Sequence, residues 1–121
     1  MSYDNNNIFA KILRKEITCN TIYEDEFVLS FYDINPQKKI HVLVIPKGKY
    51  VDFDDFANNA SPAEIVGMIK VINSVAKKLG ISVDTGAGYR ALTNISENGG
   101  QEVPHLHFHL FGGEKIGKMV E

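Results

Sequence analysis

The run His105-Leu106-His107-Phe108-His109-Leu110-Phe111, in which histidine alternates with an apolar residue, constrains this chain most. Strict period-two alternation is the pattern of a β-strand, whose successive side chains point to opposite faces. Leu106, Phe108 and Leu110 then share a face that seeks a core, and His105, His107 and His109 share the other. Three of the chain's four histidines stand here, the fourth being His41. Their concentration separates them from isolated structural histidines and makes the polar face a candidate site.

Such a strand needs partners, and the remaining sequence supplies them. Thr21-Ile22-Tyr23-Glu24 and Val28 to Asp33 are rich in aromatic and β-branched residues and read as two strands, with Asp25-Glu26 as a hairpin turn. Asn35-Pro36-Gln37 signals another turn, and His41 to Ile45 forms a third strand that Pro46 ends. Tyr89 to Ile95 reads as a fourth strand, and a glycine-bearing loop, Ser96 to Gln101, leads to the fifth, His105 to Phe111. Two helices accompany them. Ile8, Phe9, Ile12 and Leu13 recur at helical spacing in a short one, Ile8 to Lys15.

The long helix has its start written out. Ser61 can cap, Pro62 takes the first helical position, and Glu64 completes a capping box. Ile65, Met68, Ile69, Ile72, Val75, Ala76 and Leu79 form one apolar face, and Gly80 can close the end. Lys47 to Asn59 is polar with scattered aromatics, with a helical turn expected near Val51 to Phe56. The expected class is α+β, an antiparallel five-stranded sheet covered on one face by the long helix. A single domain spanning 1–121 accommodates it, with a polar, flexible 1–7 and a short tail at 114–121. Gly86-Ala87-Gly88-Tyr89-Arg90-Ala91 fits a loose dinucleotide fingerprint, but that motif needs a strand before it and a helix after it, and here the order is reversed.

Net charge is −2 and the pI is about 6.1, so no global positive field gathers DNA or RNA. A small phosphorylated ligand held by local donors suits this balance. Cys19 is the only cysteine, which excludes an internal disulfide. No apolar run approaches the roughly 20 residues of a membrane span, and the opening Met1-Ser2-Tyr3-Asp4 does not resemble a secretory leader. A cytoplasmic protein with no nucleic-acid or membrane partner is expected.

Two chemistries compete for the histidines. Imidazole is a common zinc ligand, but side chains two apart on a strand start roughly 6.6 Å apart and the outer pair about 13 Å. One ion could take two of them, with His41 as a third ligand. The alternative is nucleophilic catalysis at phosphorus. Neutral imidazole is nucleophilic near neutral pH and can form a covalent phosphoimidazole that water then hydrolyses. His107, flanked on its own face by two histidines, is best placed to attack. One neighbour can orient it and another can donate to the developing charge. Upstream, Asn98-Gly99-Gly100-Gln101 offers a turn whose backbone N–H groups can approach phosphate oxygens.

The run Gly100-Gln101-Glu102-Val103-Pro104-His105-Leu106-His107-Phe108-His109-Leu110-Phe111-Gly112-Gly113 resembles the signature of the histidine triad (HIT) superfamily, with the nucleotide-binding HINT branch fitting best. Ile8-Phe9-Ala10-Lys11-Ile12, Tyr32-Asp33-Ile34-Asn35-Pro36-Gln37, His41-Val42-Leu43-Val44-Ile45-Pro46-Lys47 and Asn94 extend the likeness in order, from Ile8 to Gly113. The resemblance implies purine nucleoside phosphoramidase or related nucleotidyl hydrolase activity; no cofactor is expected, and the spacing along the strand sets a metal site aside. It implies a homodimer whose two sheets join into one of ten strands. It also implies His107 as nucleophile, His109 at the phosphate, and His105 and His41 in support. Asp33 would bond the ribose hydroxyls of a purine nucleotide. Asn94, Gln101, Glu102 and Val103 would lie near the substrate, and Ile8, Phe9, Ile12, Phe31, Ile34 and Leu43 would line the base pocket.

Two departures stand out. Glu102 occupies a position where many members carry serine; glutamate there points to a bacterial source, and a carboxylate beside a phosphate is repelled unless protonated or turned away. Pro104 replaces a common aromatic, which suits the first residue of a strand. Two other readings belong beside the leading one, a dinucleoside polyphosphate hydrolase and a nucleotide-binding module with vestigial hydrolysis.

Overall fold

In the computed structural model, which describes residues 2–119, the apolar runs pair into one antiparallel sheet. Its strands are β1 (Thr21–Glu24), β2 (Val28–Tyr32), β3 (Ile40–Pro46), β4 (Arg90–Leu92) and β5 (Phe108–Gly112), in the order β1-β2-β3-β5-β4. Four helices accompany them: α1 (Ile8–Leu13), α2 (Phe53–Asn59), α3 (Pro62–Lys78) and α4 (Val83–Gly86). The expected α+β class is the one observed; α2 stands where a helical turn was expected near Val51 to Phe56, and α4 is added to the helices of the sequence reading. Asp25 makes the first hairpin by accepting the amides of Phe27 and Val28, each at 2.9 Å.

Central β3 is buried on both faces, so its residues divide between two cores. Val42 and Val44 pack with Met68, Val71, Ile72 and Val75 of α3 and with Leu106 and Leu110. Leu43 and Ile45 point the other way and pack with Leu29, Phe31, Phe9 and Ile12, the last two from α1. Burying a side chain of this size stabilises by about 1.5–3 kcal/mol, so α1 is held by its packing although it has only 6 residues. Asn7 caps α1 by accepting the Ala10 amide at 2.9 Å.

The capping box at Ser61 and Glu64 forms as expected, with Pro62 in the first turn of α3. Ile69, expected on the core face, is instead 61% exposed, and Val71 is buried in its place. On a helix of 3.6 residues per turn the buried line runs through Met68, Ile72 and Val75, and Ile69 lies to one side of it. Strands β4 and β5 are shorter than the alternation suggests. His105 and His107 precede β5 and carry no ladder partners within it. No helix among the described residues is long and apolar enough to cross a membrane.

Candidate active site

Register brings His41 to the triad. In the β3–β5 ladder Leu43 pairs with His109 and His41 with Phe111. His41 and His109 are therefore diagonal neighbours on the face away from α3, with His41 Nε2 2.9 Å from His109 Nδ1.

The segment that carries His105 and His107 is pinned without a strand. The Leu106 amide donates to Tyr50 O at 2.8 Å, and the Thr93 hydroxyl donates to His107 O at 2.7 Å. The Leu106 amide is thus taken by Tyr50, outside the sheet, and His107 O by a side chain, and the strand begins only at Phe108. Alternation of side chains survives nonetheless, since Leu106 enters the α3 core while Phe9 of α1 packs edge-on against His107 at 4.9 Å between ring centroids.

Hydrogen bonds to groups of fixed polarity settle every imidazole tautomer. Neutral imidazole has one N–H and one lone pair. His105 Nε2 lies 2.9 Å from Pro46 O, a carbonyl that can only accept, so Nε2 carries the proton and Nδ1 accepts from the Tyr3 hydroxyl. His107 Nδ1 lies 2.7 Å from His105 O, so Nδ1 carries the proton and Nε2 keeps a lone pair. His41 Nδ1 accepts the Gln37 amide at 3.1 Å, so its proton is on Nε2 and points at His109 Nδ1. His109 then holds its proton on Nε2. A nucleophilic nitrogen and a donor N–H thus belong to adjacent histidines, whose rings stand 5.1 Å apart.

Burial keeps these rings neutral. Loss of solvent pushes His105 and His109 down to about 4 and also lowers His107 and His41. For His109 the neighbouring His107 and His41 add to the effect; for His41 and His107 the Asp33 carboxylate partly opposes it.

His107 and His109 line a cleft of about 280 Å³ together with Phe9, Asp33, Leu43, Asn94, Gly100, Glu102 and Val103. Residues as distant as Phe9 and Val103 in the sequence meet there. His105 and His41 stand behind it, each bonded to a histidine that lines it. Gln101 is spent on structure: its amide donates to Val51 O at 2.7 Å and to Val103 O at 3.0 Å, and accepts the Ser96 amide at 2.9 Å. It shapes the loop beside the cleft. Gly100, with φ +74, supplies the left-handed turn that lets this loop close. Ile12 lines a separate cleft with Leu13, Cys19 and Leu29. Phe31 is buried behind Phe9, Ile8 is exposed, and Ile34 is 82% exposed.

Asp33, His41 and His109 are close enough to share a metal ion, with Asp33 in the place of one of the two strand histidines that the sequence reading set beside His41. The proton on His41 argues against it. A ligating histidine normally donates its other N–H to an acceptor, whereas His41 Nδ1 faces the Gln37 N–H donor. Ligation through Nε2 would set two N–H groups against each other.

Thr93 and Tyr3 were not apparent from the sequence. Only a backbone carbonyl links Thr93 to His107, and Tyr3 lies in a polar stretch with no periodicity.

Residues 14–116 match the HIT domain family model. A HIT-like protein of Azospirillum brasilense is 50% identical over 119 residues, 98% of this chain and 95% of its own. The purine nucleoside phosphoramidase of Escherichia coli K12 is 40% identical over 114 residues, 93% of this chain and 92% of that protein. Among solved structures, a HIT family hydrolase from Clostridium thermocellum superposes with a TM-score of 0.84 at 39% identity, covering 98% of this chain and 99% of that one.

Proposed function

The chain belongs to the HIT domain family, and from that premise we propose that it hydrolyses nucleoside 5′-phosphoramidates or acyl-nucleotides to the nucleoside monophosphate. The observation that carries this reading is the bond from His107 Nδ1 to the His105 carbonyl at 2.7 Å. It directs the lone pair of a neutral imidazole into a cleft that also holds an N–H donor. The Escherichia coli relative named a purine nucleoside phosphoramidase supports the substrate class.

In the first step His107 Nε2 attacks phosphorus, a P–N(His) bond forms, and the P–N bond to the amine or the P–O bond to the carboxylate breaks. The leaving group departs with the electron pair, the amine taking a proton from solvent and the carboxylate leaving as the anion. The His105 carbonyl stabilises the positive charge that the attacking ring acquires, because it already accepts the Nδ1 proton. His109 Nε2–H donates to a phosphoryl oxygen. In the second step water attacks phosphorus, the P–N bond breaks, and its electrons return to His107 as the water proton leaves to solvent. Phe9, Leu43 and Val103 offer apolar contact to a purine, and Asp33 accepts from ribose hydroxyls.

The protein works in the cytoplasm as a homodimer on this reading. Strand β4 is at the edge of the sheet, and pairing two such edges would join the sheets into one of ten strands. The test of function is a substrate panel. Adenosine phosphoramidate should release AMP, faster than diadenosine polyphosphates are cleaved, and His107→Ala should abolish turnover. Full activity in that variant would overturn the nucleophile assignment.

A further inference from the structure

We propose that Tyr3 is a positioning residue for the nucleophile, its hydroxyl locking the ring of His105 whose backbone carbonyl aims His107. The role rests on the hydrolytic reading above and extends it to the first turn of the chain.

The Tyr3 hydroxyl lies 2.5 Å from His105 Nδ1, and the two rings meet edge to face with centroids 5.5 Å apart. His105 is 0% exposed, so in the intact fold the Tyr3 hydroxyl, not solvent, partners its Nδ1. Its other nitrogen is held by Pro46 O. The ring is thus fixed at both ends, between the start of the chain and the end of β3. The same residue presents the carbonyl that takes the His107 Nδ1 proton. The anchored ring holds the residue in place, and a shift of the His105 backbone on loss of that anchor would move the acceptor and with it the direction of the attacking lone pair.

Tyr3 is itself held. Asn7 donates to Asp4 O at 2.7 Å while capping α1, Asn6 donates to the Asp4 carboxylate at 2.9 Å, and Arg14 reaches back to Asn5 O at 2.7 Å. Residues 3 to 7, which the sequence suggested as a flexible lead-in, form a strap across the buried end of the triad. Phe9, one turn further on, packs against both His105 and His107. Burial raises the Tyr3 phenol above its ordinary range, which keeps it an O–H donor.

The test is Tyr3→Phe, which keeps the ring and removes the hydroxyl. Expected are a loss of about fivefold in kcat, equivalent to about 1 kcal/mol, and a KM changed by less than about twofold. Imidazole nitrogen NMR on the apo protein should show the His105 Nδ1 resonance moving toward a lone pair without a donor. In the wild type, the Tyr3 hydroxyl proton should show a cross-peak to the His105 ring. An unshifted His105 Nδ1, an absent cross-peak, or a shifted resonance with unchanged kcat would each overturn the proposal. The NMR result stands even if the wild type turns over no phosphoramidate, so failure of the substrate reading and failure of the Tyr3 bond are told apart.

Discussion

Acid should unfold this protein partly through His105, and the size of the effect can be worked from one ring. In the fold burial holds His105 at about 4, against an ordinary value of 6.5. As pH falls the unfolded chain therefore takes up the proton first. The stability that His105 contributes is complete above its ordinary value and is lost progressively between 6.5 and about 4. Between about pH 7.5 and about pH 5 that loss comes to about 2 kcal/mol, at 1.36 kcal/mol per unit of differential protonation. His107, His109 and His41 are lowered as well, so the total acid sensitivity exceeds this. His105→Gln isolates the contribution, because glutamine can still donate to Pro46 O but does not titrate. Urea melts of both proteins at the two pH values should show the wild type losing about 2 kcal/mol more than the variant. Parallel losses in the two would refute the claim that a buried neutral His105 links stability to pH. The prediction bears on activity too, since a protonated His105 would put a positive charge beside a nucleophile that must stay neutral.

Thr93→Val removes the hydroxyl that holds the His107 carbonyl at 2.7 Å. It should lower kcat by about five- to tenfold with little change in KM, as steady-state kinetics would show. Gly100→Ala places a side chain at φ +74; it should destabilise by about 1 kcal/mol and raise KM, because the strained loop lines the cleft. Ser61→Ala breaks the capping box of α3. Thermal melts should register about 1 kcal/mol of lost stability, while kcat stays at the wild-type level.

Local rules made much of this molecule legible without coordinates. Ser61, Pro62 and Glu64 define the start of α3 because capping depends on groups within three residues of one another. Alternation from Leu106 to Leu110 separates a core face from a histidine face because a polypeptide in extended form has period two. The identity of the triad was legible for the same reason. Side chains confined to one short segment need no tertiary structure to be neighbours.

Tertiary structure decided what depends on partners far along the chain. The extent of β5 is one case: Tyr50 and Thr93 take up backbone groups of Leu106 and His107, and no propensity at the histidine run could foretell that. The tautomers within the triad are another. Which nitrogen of each ring is protonated follows from Pro46 O, the Gln37 amide and the His105 carbonyl, so the free lone pair of His107 is a product of the fold. Ile69 left the core because the buried line of a helix is set by the sheet beneath it. The sequence alone determined that three histidines share a face and, through the family resemblance, suggested His107 as the nucleophile; which nitrogen of each ring carries the proton came only with the tertiary structure, because hydrogen-bond polarity is fixed by partners that only folding brings into reach.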